Sequence, residues 1–347
     1  MKNLFYCFLF FFLLFTPGQN SQEKRSFKIH TVAFYNLENL FDTINDVNKN
    51  DEASPIMEMK FNRSNVYKKK VSNMAKVISQ IGYDYTKRAP SIVGICEVEN
   101  LNVVQDLINQ KELKDENYGI VHYNSPDNRG IDVALIFKKN IFEVKSSSSH
   151  EVIITDNNTS NRRPTRDQLV VSGLIDGELI HLIVNHWPSR GADETKRIAA
   201  AKVNNKIIDS LRSIYKNPKI ITMGDFNDDP FDKSIKKVLG AKKDRKDVGK
   251  KDMYNPFETI LVDQGIGTNA YRDKWQLFDQ IIISEGFLKK DYADYQFYRA
   301  GVFNKSFLIN KKGKYKGYPF RSFSFGSFTD GFSDHLPPYI FLIKEIK

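Results

Sequence analysis

Cysteine is nearly absent from this sequence. Its 347 residues include two, Cys7 and Cys96. Cys7 sits in an N-terminal stretch that reads as removable, which leaves Cys96 alone. A disulfide framework and a cysteine-built zinc site are therefore both excluded. Cys96 lies in "SIVGICEVEN", where a small buried apolar residue is the expected role. The chain also lacks internal repeats and any low-complexity linker long enough to separate domains. Beyond the N-terminus, no segment approaches membrane-spanning length. Residues 4–15 are an apolar run of twelve, preceded by Lys2 and broken by Thr16, Pro17 and Gly18. Twelve residues are too few to span a bilayer, so residues 1–21 read as a secretory signal peptide cleaved within residues 18–22. The site is not a clean A-x-A, and an uncleaved anchor is the alternative. The expected location is secreted or periplasmic, with no membrane span after cleavage and a monomeric mature chain.

What is present is apolar enough to build a core. Hydrophobic residues make up 41% and charged residues 27%, which excludes wholesale disorder. Lys and Arg total 52 against 42 Asp and Glu, a net of +10. Such a surface favours a polyanion, either nucleic acid or acidic lipid head groups. Periodicity predicts strands at "HTVAFYN", "SIVGICEV", "DVALIF", "KIITMGDFN", "FDQIIIS" and "PYIFLI", and a hairpin turning at Asp176-Gly177. Helices are expected over residues 64–82, 100–110 and 193–215. Residues 42–62 and 242–252 read as surface loops. Helices and strands mix throughout, with both crossovers and hairpins. That pattern suits an α/β layered sandwich with mixed sheets.

The strand ends carry the chemistry. Asn36 and Glu38 follow the first strand, Glu97 and Glu99 the second, and Asn185 and His186 the "HLIVNHW" strand. "IITMGDFN" ends in Asp225 and Asn227, Asp279 opens "DQIIIS", and Asp334 and His335 precede the last strand. Each could be an ordinary turn or helix start, but independent turns do not predict the whole set. Converging, they would build an oxygen-rich pocket with two imidazoles, suited to Mg²⁺, Mn²⁺ or Ca²⁺.

In the order and spacing of "FYNLENLF", "CEVEN", "NHW", "GDFN" and "SDHLP", the chain resembles the endonuclease/exonuclease/phosphatase superfamily. The resemblance covers residues 27–347 as one catalytic domain. It implies a four-layer α-β-β-α sandwich with two mixed, mainly antiparallel sheets, and divalent-metal cleavage of phosphoesters. It further implies that Asn36, Glu97 and Asp334 lie at the metal, Glu97 being preferred to Glu99. Asp225 and Asn227 would handle the attacking water and the phosphate. His335 would face the scissile phosphate with Asp279 orienting it, and His186 would be a second imidazole supported by Asp132. The tyrosine that some repair nucleases place near this strand is replaced by Arg129, Gly130 and Ile131. Arg166, Asn185, Lys314 and Arg321 are the candidate substrate-binding residues. Residues 311–321, "KKGKYKGYPFR", interleave cations with aromatics as a nucleic-acid groove does. The expected activity is an exported phosphodiesterase acting on DNA or RNA. The alternatives are a lipid or inositol phosphate enzyme, for which no apolar hairpin is evident, and a binding protein without catalysis.

Overall fold

The computed structural model describes residues 25–155 and 161–346. The expected signal peptide lies outside the described residues. The principal strands, in chain order, are β1 (Ser26–Leu40), β2 (Ile92–Val98), β3 (Tyr118–His122), β4 (Asp132–Lys138), β5 (Phe142–His150), β6 (Gln168–Ile175) and β7 (Glu178–His186). They continue with β8 (Lys219–Asp225), β9 (Ala241–Lys242), β10 (Met253–Tyr254), β11 (Asp279–Ser284), β12 (Gln296–Val302) and β13 (Pro338–Ile346). One sheet runs β12-β13-β1-β2-β4-β3 and the other β9-β10-β11-β8-β7-β6-β5. The β1/β2, β7/β8 and β9/β10 pairs are parallel and the remaining neighbours antiparallel. This is the expected four-layer α-β-β-α sandwich.

Period-two alternation builds the layers. Val32, Phe34, Leu182, Val184, Ile221, Met223, Ile281 and Leu342 face one another between the sheets. The intervening residues Ala33, Tyr35, Val93 and Ile95 instead meet α1 (Arg63–Ile78) and α2 (Leu101–Ile108). On the opposite side, Ile183, Ile220 and Ile282 lie under α3 (Glu194–Ile214). Asn100 caps α2 through its side chain, accepting from Val103 N–H, and Asp193 caps α3 in the same way. The β6–β7 connection turns at Asp176 and Gly177, both at positive φ, the backbone a two-residue hairpin requires. Among the described residues no helix is long and apolar enough to cross a membrane.

Candidate active site

The inward-facing rows of the strands do not stop where the apolar core stops. Two residues beyond Val184 is His186, and two beyond Met223 is Asp225. Two before Ile281 is Asp279, and two beyond Phe34 is Asn36. Each therefore continues its strand's inner face past the edge of the core. Register completes the convergence, because Asp225 is paired with His186 on one side and Asp279 on the other. Rigid strand ends thus hold these side chains in place.

Glu97 reaches the same point by a different device. Cys96 faces the inter-sheet core, so regular alternation would send Glu97 toward the helices. Pairing with both neighbouring strands shifts at this position, and Glu97 adopts a φ of 58°. This bulge re-aims its carboxylate, whose Oε1 accepts from Asn36 Nδ2 at 3.1 Å and Oε2 from Asn39 N–H at 2.9 Å. Asn36 Nδ2 also donates to Asp225 Oδ2 at 3.1 Å, tying the two sheets together. Glu99, the alternative, is spent on Asp42 N–H at 2.6 Å, and burial pushes its carboxyl up to about 8.

His335 Nδ1 lies 2.6 Å from Asp279 Oδ2, and Asp279 is fully buried. Burial pushes this imidazole down, but the charges of Asp279, Asp225 and Asp334 outweigh it and hold the group well above its ordinary value. His335 therefore carries a proton, with Nε2 left for a substrate oxygen. Burial raises Asp225 to about 6, the proximity of His335 pulling against it. Its Oδ1 accepts from Asn227 N–H at 2.9 Å, and Asn227 Nδ2 in turn donates to Trp187 O at 3.0 Å.

The second imidazole behaves differently from expectation. His186 Nε2 stands 3.8 Å from Glu97 Oε1 and 3.7 Å from Asp225 Oδ2. Burial pushes it well below its ordinary value, and Arg166, Arg129 and His335 push the same way, so it is neutral. Asp132 does not support it. That carboxylate accepts from Ser125 N–H and Oγ, and its Oδ2 pairs with His122 Nε2 at 2.9 Å. Asp132 opens β4 beside Val98 in the first sheet, where the adjacent β3 supplies His122, whereas His186 stands on β7 of the second sheet.

Two candidate substrate contacts are likewise internal. Arg166 is buried, donating to His186 O and Trp187 O and pairing with Asp127 at 3.3 Å. Asn185 is one residue from His186 and so faces α3, where its Nδ2 donates to Thr222 Oγ1 and its Oδ1 accepts from Asn204 and Trp187. Asn36 departs from the metal-ligand expectation as well. Its Oδ1 accepts Glu38 N–H at 2.8 Å, so an N–H and not an oxygen faces the carboxylates.

Lys314 and Arg321 do line a cleft. It has a volume of about 1240 Å³ and contains Asp334 and His335, with Tyr271, Tyr315, Tyr318, Phe278, Arg190 and Arg272 among its walls. Arg321 bridges Glu38 Oε1 at 3.0 Å and Asp334 Oδ2 at 3.2 Å. The hairpin Phe323–Ser324/Ser327–Phe328 carries Phe325 at its tip, 88% exposed, so an apolar hairpin is present after all. Glu38, noted in the sequence among the strand-end residues, is the main member given no role there. It is buried, raised by desolvation, and accepts from Ser322 N–H and Oγ, while Lys70 donates to its backbone oxygen. The signal available was its place two residues after Asn36, at the end of the same strand.

The residues present fit a divalent cation. Asp225 and Asp279 form one group of candidate donors with His335, Glu97 joins Asp225 through the Asn36 amide, and a buried oxygen of Asp279 has no protein partner. Hard oxygen donors in such excess suit Mg²⁺-like ions. Glu97 and Asp334, whose charges both act on Arg321, would hold the ion.

A family model described as the Endonuclease/Exonuclease/phosphatase family matches residues 31–344. No curated protein matches in sequence. Among solved structures, D. rerio TDP2 complexed with a single-strand DNA product is 14% identical, covering 90% of this chain and 98% of that one with a TM-score of 0.52. A Bacteroides thetaiotaomicron mannosyl-6-phosphatase is 16% identical over 90% of this chain and 99% of that one, with a TM-score of 0.53. An endonuclease/exonuclease/phosphatase family protein from the same organism is 16% identical over 93% and 97%, also at 0.53. Identities this low speak for the shared sandwich. The family match spans nearly the whole chain, and with it the chain belongs to the endonuclease/exonuclease/phosphatase family of metal-dependent phosphoesterases.

Proposed function

We propose that the protein is an exported phosphodiesterase that cleaves single-stranded nucleic acid, using Mg²⁺ or, in its place, Mn²⁺ or Ca²⁺. The observation that carries this reading is the cleft beside His335. Its walls combine cations (Arg190, Arg272, Lys314, Arg321) with aromatic faces (Tyr271, Tyr315, Tyr318, Phe278), beside the acids Glu58, Asp273 and Asp334. A groove of this composition tracks a phosphate backbone and stacks unpaired bases. The net charge of +10 points the same way.

The chemistry follows from the side chains. Asp225, raised to about 6, is ionised at neutral pH yet basic enough to accept a proton from an attacking water. Its two bonds, to Asn227 N–H and Asn36 Nδ2, fix its plane. The imidazolium of His335 donates from Nε2 to a phosphoryl oxygen and stabilises the charge that grows there. Asp279 keeps that proton in place. His186, being neutral, shapes the pocket and serves as no proton source. A cation on Glu97 supplies Lewis-acid stabilisation of the phosphoryl group when bound.

Phe325, at an exposed hairpin tip on the cleft rim, favours a second reading, a phospholipid head-group diester. A panel of single-stranded DNA, RNA, duplex, sphingomyelin and inositol phosphates, each with Mg²⁺ and with EDTA, separates the two. Cleavage confined to lipid would overturn the nucleic-acid reading. Export rests on the apolar N-terminal run, and mass spectrometry of the protein from culture medium or periplasm tests it through the mature N-terminus.

A further inference from the structure

We propose that Arg129 binds a second, non-scissile phosphate of an extended substrate, on the flank of the catalytic centre opposite the aromatic cleft. The assignment deepens the nucleic-acid reading and rests on it.

Strand order fixes the two flanks. Along the first sheet, the active-site edge runs from Asp334 and His335 ahead of β13, through Asn36 on β1 and Glu97 on β2, to the segment ahead of β4 that carries Arg129. Along the second it runs from Asp279 on β11, through Asp225 on β8 and His186 on β7, to Arg166 ahead of β6. The cleft occupies the first end of this path, with His335 among its walls. Arg129 stands at the other end, so a chain lying in the cleft and crossing the centre leaves past Arg129.

The arginine is built to meet an anion there. Asp127 accepts from its backbone N–H at 3.0 Å, from Nε at 3.2 Å and from Nη2 at 3.3 Å. Asp127 is buried and shared with Arg166, which is itself anchored to His186 O and Trp187 O. Lys49 adds a third cation on the carbonyls of Ser125 and Asp127, at 3.0 and 3.1 Å. One carboxylate therefore serves two guanidinium groups, and the surplus positive charge cannot be displayed by the buried Arg166. It is displayed by Arg129, whose side chain is 52% exposed. A guanidinium has five donors, and Asp127 takes two of them from the side chain, so a fork edge remains for phosphate oxygens. On the far flank Arg321 is likewise a half-exposed guanidinium anchored by acids, here two carboxylates, the buried Glu38 and Asp334, on one cation. An ester with a single phosphate needs no such pair, whereas a polynucleotide presents a phosphate to each.

The test compares wild type, Arg129→Ala and Arg129→Lys on a single-stranded oligonucleotide and on bis-p-nitrophenyl phosphate, both with saturating Mg²⁺. Arg129→Ala is expected to lower kcat/KM on the oligonucleotide by about 10- to 100-fold, mainly through KM, the size of a lost charged hydrogen-bond pair. Its loss on the one-phosphate diester should be at least tenfold smaller than that. The slope of log KM against log salt should fall by about 0.7 for the oligonucleotide. Arg129→Lys should recover the salt slope but part of the affinity, since it keeps charge and loses the fork. Equal losses on both substrates, or no loss on the oligonucleotide, would overturn the assignment while leaving the nucleic-acid reading standing. A wild-type enzyme that cleaves the diester but no oligonucleotide would overturn both.

Discussion

Replacing Asp279 by Asn keeps the shape of the most buried part of the site and removes one charge. In the wild type the carboxylate Oδ2 is 2.6 Å from His335 Nδ1, and neither side chain is well exposed. Unit charges about 4 Å apart at an effective dielectric of ~20 interact by about 4 kcal/mol. That energy is a factor of about 10³ in the protonation equilibrium of the imidazole. Asp225 and Asp334 remain and retain part of the stabilisation. His335 is held above its ordinary value, so its useful proton is present at low pH and lost as pH rises. Removing the partner moves that loss to lower pH. Turnover should therefore fall by roughly 10²-fold near pH 8 and by much less near pH 6. The rising limb, set by Asp225 at about 6, should persist. The assay is the pH dependence of kcat on bis-p-nitrophenyl phosphate at saturating Mg²⁺, with circular dichroism to verify the fold. An unchanged alkaline limb together with near-normal turnover at pH 8 would refute the role given to this pair.

Three further outcomes are expected. Glu97→Gln removes a carboxylate from the proposed cation site, so the Mg²⁺ concentration for half-maximal activity should rise by about tenfold or more; an unchanged metal titration would remove Glu97 from that site. Arg197 donates to Asp228 at 2.6 Å with both side chains nearly buried, and also to Ser189 O and Ala192 O. Arg197→Ala should therefore cost about 3–5 kcal/mol in urea unfolding, because it strands a buried charge; a loss under ~1 kcal/mol would contradict that. His186→Ala should leave the alkaline limb of the pH profile in place, since a neutral imidazole supplies no proton; disappearance of that limb would restore His186 as an acid.

The inter-sheet layer was legible because buried strands alternate, and the same alternation carries His186, Asp225 and Asp279 into the site. Applied strictly, it also excludes Asn185, which must face the helix when His186 faces the pocket. β5 was harder to see: "FEVKSSSSH" is an edge strand with an exposed outer face and shows little apolar pattern. Glu97 was identifiable by resemblance, but the bulge that aims it leaves no mark in composition. Asp132 was misassigned because pairing across strands decides its partner, and β3 brings His122 closer than β7 brings His186. Arg166 read as a substrate contact; burial and two backbone acceptors make it a brace. The apolar hairpin tip at Phe325 was hidden inside "SFSFGSF", where alternating Phe and Ser do not tell a buried Phe from an exposed one.

The most direct test of the central claim is cleavage of an end-labelled single-stranded oligonucleotide by purified mature protein, with Mg²⁺, with EDTA, and with His335→Ala in place of wild type. The predicted result is cleavage by wild type with Mg²⁺, none with EDTA, and a rate lower by on the order of 10²-fold or more in the variant. Cleavage that survives EDTA, or a folded His335→Ala enzyme that cleaves at the wild-type rate, would contradict a metal-dependent site centred on His335 and Asp279.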